Sequence, residues 1–288
     1  MTFFGNPAPT LFSAQPQATQ KETEVQSPPA DTVSCLRFSP ESVAHSTYLA
    51  ATSWDNRIRI WEIMANGTTV PKAEQMHQAP AFGACWSQDG SKVFSVGADK
   101  SVQMWDLNSN QFTQIGAHES PVKTVHFISA PSYSCLMTGG WDKKLKLWDT
   151  RTPQPVMVFG LPDRVYCADI YFPLAIICTA NRHIILYNLS NTPAEYSRLE
   201  SPLKIFHFFR EQSRCVSIFL DKQKTQPIGY ALGSIEGRVA VQHVQANHIK
   251  DNFTFKCHRS NPSVGNFQEI YAVRINSDNC SAKRLFWM

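Results

Sequence analysis

Short apolar stretches that end in an aromatic residue recur along the chain from residue 33 onward. Their ends lie 41 to 48 residues apart, at Phe38, Trp86, Phe127, Tyr171 and Phe219. A regular period of this length is typical of proteins built from stacked structural repeats. A second apolar stretch, a polar turn and a third apolar stretch follow each of these positions, so each repeat predicts several short strands.

The third apolar stretch of each repeat has the clearest strand pattern. In the first three repeats it alternates apolar and polar residues with a period of two, as a half-buried strand does. Little of the chain has convincing helical periodicity. Many short strands at this period predict an all-β fold, a propeller with four strands in each blade. The five third stretches are residues 58–61, 102–105, 145–148, 184–187 and 239–242.

A turn with a short acidic residue precedes the third stretch in the first three repeats. Asp55, Asp99 and Asp142 each lie six residues before a tryptophan. A short carboxylate accepts backbone N–H bonds in a tight hairpin. In the second and third repeats a hydroxyl residue lies four positions before the aspartate, and a histidine lies farther upstream. The two sets are His77, Ser95, Asp99 and Trp105, and His118, Thr138, Asp142 and Trp148.

This pattern resembles the WD-repeat family, whose blades end in a Trp-Asp dipeptide. The dipeptide occurs here as Trp105-Asp106 and Trp148-Asp149, with Trp61-Glu62 as a near match. The resemblance implies that each of the two sets forms a buried, hydrogen-bonded tetrad with a structural role. The first repeat departs from the pattern, since Ala51 occupies the hydroxyl position. The fourth and fifth repeats lack the tryptophan, so we expect apolar packing alone to stabilise their blades.

Ser95, His77 and Asp99 also have the composition of a hydrolase triad. The same set recurs at matching spacing around Thr138, however, which a single active site does not require. Neither Ser95 nor Thr138 lies in a GxSxG turn, and the chain has no phosphate-loop, dinucleotide or HExxH motif. We therefore predict a structural network and no enzyme: no catalytic residue, no cofactor and no small-molecule substrate.

Composition excludes several further classes of protein. The chain has 288 residues, 43% of them apolar, and a net charge of +4, which allows a large core and excludes a histone-like protein. No apolar stretch approaches the roughly 18 residues of a membrane helix, so no membrane insertion is expected. The eight cysteines include no CxxC pair, and six lie in apolar stretches as buried thiols of a reducing compartment. His243 and His248 lie five residues apart without cysteine partners, so no metal site is predicted.

The chain divides into three predicted parts. Residues 1–30, rich in Pro, Gln, Thr and Ser, predict a disordered tail. Residues 31–273 predict the propeller, with five recognisable blades and the start of a sixth at residues 269–273. Residues 274–288 have no turn pattern and no third strand, and predict a divergent tail. The WD-repeat resemblance then implies an incomplete seven-bladed ring, with residues 22–26 as the strand that would complete the last blade.

Five longer stretches resemble one branch of the WD-repeat family, the propellers that serve mRNA export at the nuclear pore. The resemblance covers residues 21–273 except a patch near 205–212, where an apolar insertion lies at residues 204–211. It implies a non-enzymatic scaffold that binds the GLEBS hairpin of a Phe-Gly nucleoporin and single-stranded RNA, with mitotic spindle or checkpoint proteins as further partners. It implies a location in the nucleus, at the nuclear envelope and in the cytoplasm. The stretches are residues 72–77, 85–94, 133–139, 231–240 and 251–260.

Basic residues concentrate towards the end of the chain. Residues 201–288 carry 12 Lys and Arg against 6 Asp and Glu, whereas residues 1–200 carry 15 against 17. This distribution is either chance or a basic surface that meets an anionic partner. The resemblance implies that Arg238, Phe255 and Lys256 bind RNA or acidic peptides, because cations neutralise phosphate and aromatic rings stack on bases. Alternation places the Phe253 and Phe255 rings on one face and Lys256 on the other, so both rings could instead fill the interface between blades.

Two functions therefore stay open. The first is the scaffold of mRNA export that binds a GLEBS-type nucleoporin motif and RNA. The second is a generic WD-repeat adaptor in a mitotic or ubiquitin-ligase complex, without RNA contact. RNA crosslinking that disappears when Arg238 and Lys256 are replaced by glutamate would favour the first.

Overall fold

The computed structural model describes residues 23–41, 46–203, 212–235 and 237–256, together with two short strands at 274–275 and 285–286. The described chain is β-structure, interrupted by two short 3₁₀ turns at Ala180–Arg182 and Ala246–Asp251. Neither of these turns has the length or the apolar character that a membrane-spanning helix needs. The all-β class predicted from the alternating stretches is present.

Five four-stranded antiparallel sheets follow one another along the chain, one for each repeat. The first contains β1 (Val33–Phe38), β2 (Thr47–Ser53), β3 (Arg57–Ile63) and β4 (Thr69–Met76). The second contains β5 (Ala81–Trp86), β6 (Lys92–Gly97), β7 (Ser101–Asp106) and β8 (Gln111–Ala117). The third contains β9 (Val122–Ser129), β10 (Ser134–Gly140), β11 (Lys144–Trp148) and β12 (Pro155–Gly160).

The fourth and fifth sheets follow the same order, in which the first strand is the inner strand of the blade and the fourth is the outer strand. The fourth contains β13 (Val165–Tyr171), β14 (Leu174–Thr179), β15 (His183–Asn188) and β16 (Ala194–Glu200). The fifth contains β17 (Ser213–Leu220), β18 (Pro227–Ser234), β19 (Arg238–His243) and β20 (Phe253–Lys256). Each sheet pairs in simple chain order, so every connection within a blade is a hairpin.

The first strands of consecutive sheets, β1, β5, β9, β13 and β17, lie against one another in chain order. The five sheets are therefore blades of a propeller arranged in a ring. Alternate side chains of a strand face opposite neighbours, so the apolar positions of each blade pack against both adjacent blades. Leu145 and Leu147 of β11, for example, share a core with Ala175 and Ile177 of β14.

The expected start of a sixth blade, within an incomplete seven-bladed ring, is wrong: the described residues form a five-bladed β-propeller. Residues 269–273, which suggested a new first strand, lie outside the described residues. The described strands that follow β20 are β21 (Arg274–Ile275) and β22 (Leu285–Phe286), and these two pair only with each other. A two-residue pairing without a following turn and third strand cannot build a blade.

Residues 23–26, taken as part of a completing strand, form no strand and lie against the outer half of the first blade. The backbone N–H of Gln26 donates to Thr69 Oγ1 over 2.8 Å, and its carbonyl accepts from Trp61 Nε1 over 2.7 Å. The apolar insertion at 204–211 lies outside the described residues. The predicted domain limits of 1–30, 31–273 and 274–288 stay predictions.

Candidate functional site

The third blade joins all four members of its predicted tetrad. Thr138 Oγ1 accepts a hydrogen bond from Trp148 Nε1 over 2.8 Å and lies 2.8 Å from His118 Nε2. His118 Nδ1 lies 2.9 Å from Asp142 Oδ2, which also accepts the backbone N–H of Glu119. Because the carboxylate can only accept, His118 Nδ1 donates to it, and Nε2 accepts the Thr138 hydroxyl proton. The network fastens the β10–β11 hairpin to the segment before β9.

The second blade joins three of its four predicted members. His77 Nδ1 lies 2.8 Å from Asp99 Oδ2, and His77 Nε2 lies 2.9 Å from Ser95 Oγ. Trp105 Nε1 donates instead to Asn110 Oδ1 over 3.0 Å. Asn110 has a left-handed backbone conformation with φ of 55° in the turn between β7 and β8, and so reaches back to the indole.

Burial governs the chemistry of these networks. Ser95 and Thr138 are fully buried, so no substrate reaches either hydroxyl. Burial lowers the pKa of His118, although Asp142 partly opposes the change. Burial raises the pKa of the Asp99 carboxyl, but the hydrogen bond and charge of His77 outweigh it and leave the pKa below its ordinary value. The arrangement supports a neutral imidazole that stabilises a hairpin.

The residues proposed for RNA binding lie at the outer side of the fifth blade. Arg238 and Lys256 are cross-strand partners of β19 and β20, so their side chains share a face. Phe255 is paired with Val239 on the other face and packs against it, half-buried. Phe253 lies beside Phe255 with 6.1 Å between ring centroids and is 45% exposed. The structure thus brings the two cations together and separates them from the Phe255 ring.

Two exposed tryptophans and a buried phenylalanine cluster near the first residues of the inner strands, at the end of these strands opposite to the aromatic residues that end each repeat's first apolar stretch. Trp54 and Trp141, in the turns between the second and third strands of blades one and three, are 50% and 37% exposed. Phe82, at the start of β5, joins them with ring-centroid distances of 5.6 Å to Trp54 and 5.8 Å to Trp141. We call these three residues the aromatic patch. The sequence analysis overlooked it, although a tryptophan directly precedes the turn aspartate in both repeats.

Positive charge accompanies the aromatic patch. Lys123 Nζ lies 5.2 Å from the centroid of the Phe82 ring. Burial, with the nearby charge of Arg214, lowers the pKa of Lys123. In the described part of the chain, no carboxylate forms an ion pair with Lys123. Beside Trp141 a cleft of about 430 Å³ continues towards the fourth blade, lined among others by Lys143, Asp163, Arg164 and Tyr166.

Comparison with known proteins identifies the family to which this chain is similar. The WD domain, G-beta repeat model matches residues 21–62, 73–106 and 109–149. Protein Rae1 of Drosophila melanogaster is 53% identical over 265 residues, which cover 91% of this chain and 74% of that protein. The mRNA export factors of Xenopus tropicalis and Danio rerio are 54% and 55% identical over 255 residues, 88% of this chain and 67% of each.

The chain belongs to the Rae1/mRNA export factor family of WD-repeat proteins. This membership confirms the resemblance that the repeat motifs suggested. Members of the Rae1/mRNA export factor family are non-enzymatic WD-repeat scaffolds, so the prediction that the chain is not an enzyme is confirmed as well. The aromatic patch, in contrast, could be located only from the packing of three blades.

Proposed function

We propose that this chain is a non-enzymatic scaffold of mRNA export that docks a GLEBS-type nucleoporin peptide on the aromatic patch. The observation that carries the proposal is the exposure of Trp54 and Trp141 around the Phe82 ring. Clustered apolar surface of this kind marks interaction sites, and tryptophan is enriched among the residues that dominate binding energy. Membership of the mRNA export factor family supports docking in the nucleus and at the nuclear pore, and we propose mitotic proteins as further candidate partners.

Charge indicates what kind of peptide fits. Lys123 lies over the Phe82 ring without a carboxylate partner among the described residues, and Lys143 and Arg164 line the neighbouring cleft. Asp163 offsets part of this charge, with its Oδ1 3.4 Å from Lys143 Nζ. A partly buried cation such as Lys123 is stabilised when a partner supplies an opposite charge. The surface therefore favours a peptide that combines apolar side chains with carboxylates.

The same geometry argues against RNA as the occupant of the patch. Bases stack on free aromatic faces. The Phe82 ring contacts both tryptophan rings, so the patch has no slot between rings for a base to enter. The two exposed tryptophans around the buried Phe82 ring form an apolar surface, which suits a peptide.

Fluorescence anisotropy with a labelled GLEBS-type peptide tests the proposal. We expect the chain to bind, and the double variant Trp54→Ala/Trp141→Ala to bind at least about 10-fold more weakly, since two hot-spot side chains are lost. Val156→Ala, at a 65% exposed position of β12, is the matched control and should bind as the parent does. Circular dichroism melts verify that each variant folds. Equal affinity of the parent and the double variant contradicts the proposal.

We propose RNA binding as a second function, at the outer side of the fifth blade. Arg238 and Lys256 place two cations side by side across β19 and β20, and Phe253 offers an exposed ring near this edge. Ultraviolet crosslinking to a single-stranded RNA should drop several-fold in Arg238→Glu/Lys256→Glu while peptide binding stays unchanged. Unchanged crosslinking would instead favour an adaptor in a mitotic or ubiquitin-ligase complex.

A further inference from the structure

We propose that His243 and His248 form a binding site for a borderline divalent metal ion, with zinc as its representative. His243 ends β19, and His248 lies in the 3₁₀ turn Ala246–Asp251 that leads to β20. Their ring centroids lie 5.8 Å apart with an interplanar angle of 34°. This site is separate from the aromatic patch and does not depend on the proposed function.

Hydrogen bonds set the tautomer of both rings. His248 Nδ1 lies 2.9 Å from Asp251 Oδ2, and His243 Nδ1 lies 3.2 Å from Asn252 Oδ1. The Asn252 oxygen is fixed in place because the backbone N–H of His243 also donates to it over 2.7 Å, while Asn252 Nδ2 donates to Gln242. Carboxylate and amide oxygens only accept, so each neutral ring carries its proton on Nδ1.

This tautomer leaves the lone pair of each ring on Nε2, which is the form that coordinates a metal. A metal-binding histidine almost always donates its other N–H to a carboxylate, a carbonyl or water, and the acceptor orients the ring. Asp251 and Asn252 provide that support here. None of the hydrogen bonds between described residues engages Nε2 of His243 or His248. Both nitrogens are therefore free of hydrogen bonds within the described part of the chain, as the proposed site requires.

The ring spacing suits a shared ion. With a zinc–nitrogen distance of about 2.0–2.1 Å, a ring centroid lies about 3.2 Å from the metal, and two tetrahedral ligands have centroids about 5.2 Å apart. The observed centroid distance of 5.8 Å is about 0.6 Å longer than this value. The Phe219 ring holds His243 edge-on at 5.3 Å, whereas His248 is exposed in its short turn. Movement of His248 alone can close the difference.

The site is an open one. Within the described ranges, no group of three His, Cys, Asp or Glu side chains is placed to hold a metal, so water completes the coordination. Two imidazoles bind copper more tightly than zinc, following the general order of divalent metals. The sequence analysis predicted no metal site because no cysteine lies near, but two supported imidazoles do not need one. A bound ion would brace the turn that leads into β20, which carries Phe253 and Lys256.

Isothermal titration of the full chain with zinc chloride tests the site. We expect one-site binding in the micromolar range, at least about 10-fold weaker binding in His248→Gln and in His243→Gln, and tighter binding of copper. His183→Gln, on β15 of the fourth blade, is the matched control and should bind as the parent does. Zinc should also raise the melting temperature of the parent more than that of His248→Gln. This variant should fold normally, because position 248 is exposed. Absence of binding by the parent overturns the proposal. Binding in both histidine variants with the affinity of the parent also overturns it, because the ion then lies elsewhere.

Discussion

Trp148 donates its indole N–H to the hydroxyl of Thr138 over 2.8 Å. The equivalent indole of the preceding blade, Trp105, bonds to Asn110 instead, so Ser95 serves His77 alone. Two blades with the same sequence pattern thus differ in how many groups depend on the central hydroxyl. In the third blade that hydroxyl satisfies two buried groups, and in the second blade it satisfies one.

This difference predicts unequal costs for removing the two hydroxyls. Thr138→Val keeps the shape of the side chain but strands the Trp148 N–H and His118 Nε2, and should lower the free energy of unfolding by about 3 kcal/mol. Ser95→Ala strands only His77 Nε2 and should cost about half as much. Urea unfolding at neutral pH measures both. Equal decreases in the free energy of unfolding would show that the Trp148–Thr138 hydrogen bond does not stabilise the protein.

Close packing between blades two and three gives a second prediction. A Cβ added to Gly116 of β8 would lie 2.5 Å from the Trp148 ring, whereas a Cβ on Gly160 of β12 meets no atom within 4 Å. Overpacking of this kind costs about 1–3 kcal/mol. Gly116→Ala should therefore destabilise the protein in a thermal melt. Gly160→Ala is the matched control, and a comparable loss there would refute the packing argument.

Histidines whose pKa is lowered in the folded protein predict a pH dependence of stability. Burial, together with the charge of Arg37, lowers the pKa of His126 to about 3, and burial also lowers the pKa of His118. The unfolded chain takes up these protons below about pH 6.5 while the folded protein does not, so stability falls as the pH drops.

The free energy of unfolding, measured by urea titration, should decrease between pH 7 and pH 5 by up to about 1.4 kcal/mol per pH unit for each histidine. His126→Gln should flatten the profile because it removes one of these groups. A parent profile that is level across this range, or a variant as steep as the parent, would contradict the assignment.

The repeat pattern predicted most of the blade architecture. Residues 58–61, 102–105 and 145–148 lie in the third strands, as alternation indicated. Alternation also placed Lys256 and Phe255 on opposite faces of β20. These features depend on local sequence, because a period of two fixes which side chains share a face.

Other features depend on contacts that the sequence does not display. Trp105 turns to Asn110 because a left-handed turn brings that amide within reach. The blade count went wrong because alternation alone cannot show whether a strand finds partners, and β21 pairs only with β22. The aromatic patch combines side chains from three blades, so its exposure follows only from the assembled ring.

Photo-crosslinking tests most directly whether the aromatic patch is the docking site. A GLEBS-type peptide that carries a photoreactive group is bound to the full chain and irradiated, and the attached residues are mapped by mass spectrometry. We predict attachment in the turns that carry the exposed Trp54 and Trp141. Attachment confined to β19 and β20, or to the outer strand β12, would contradict the account.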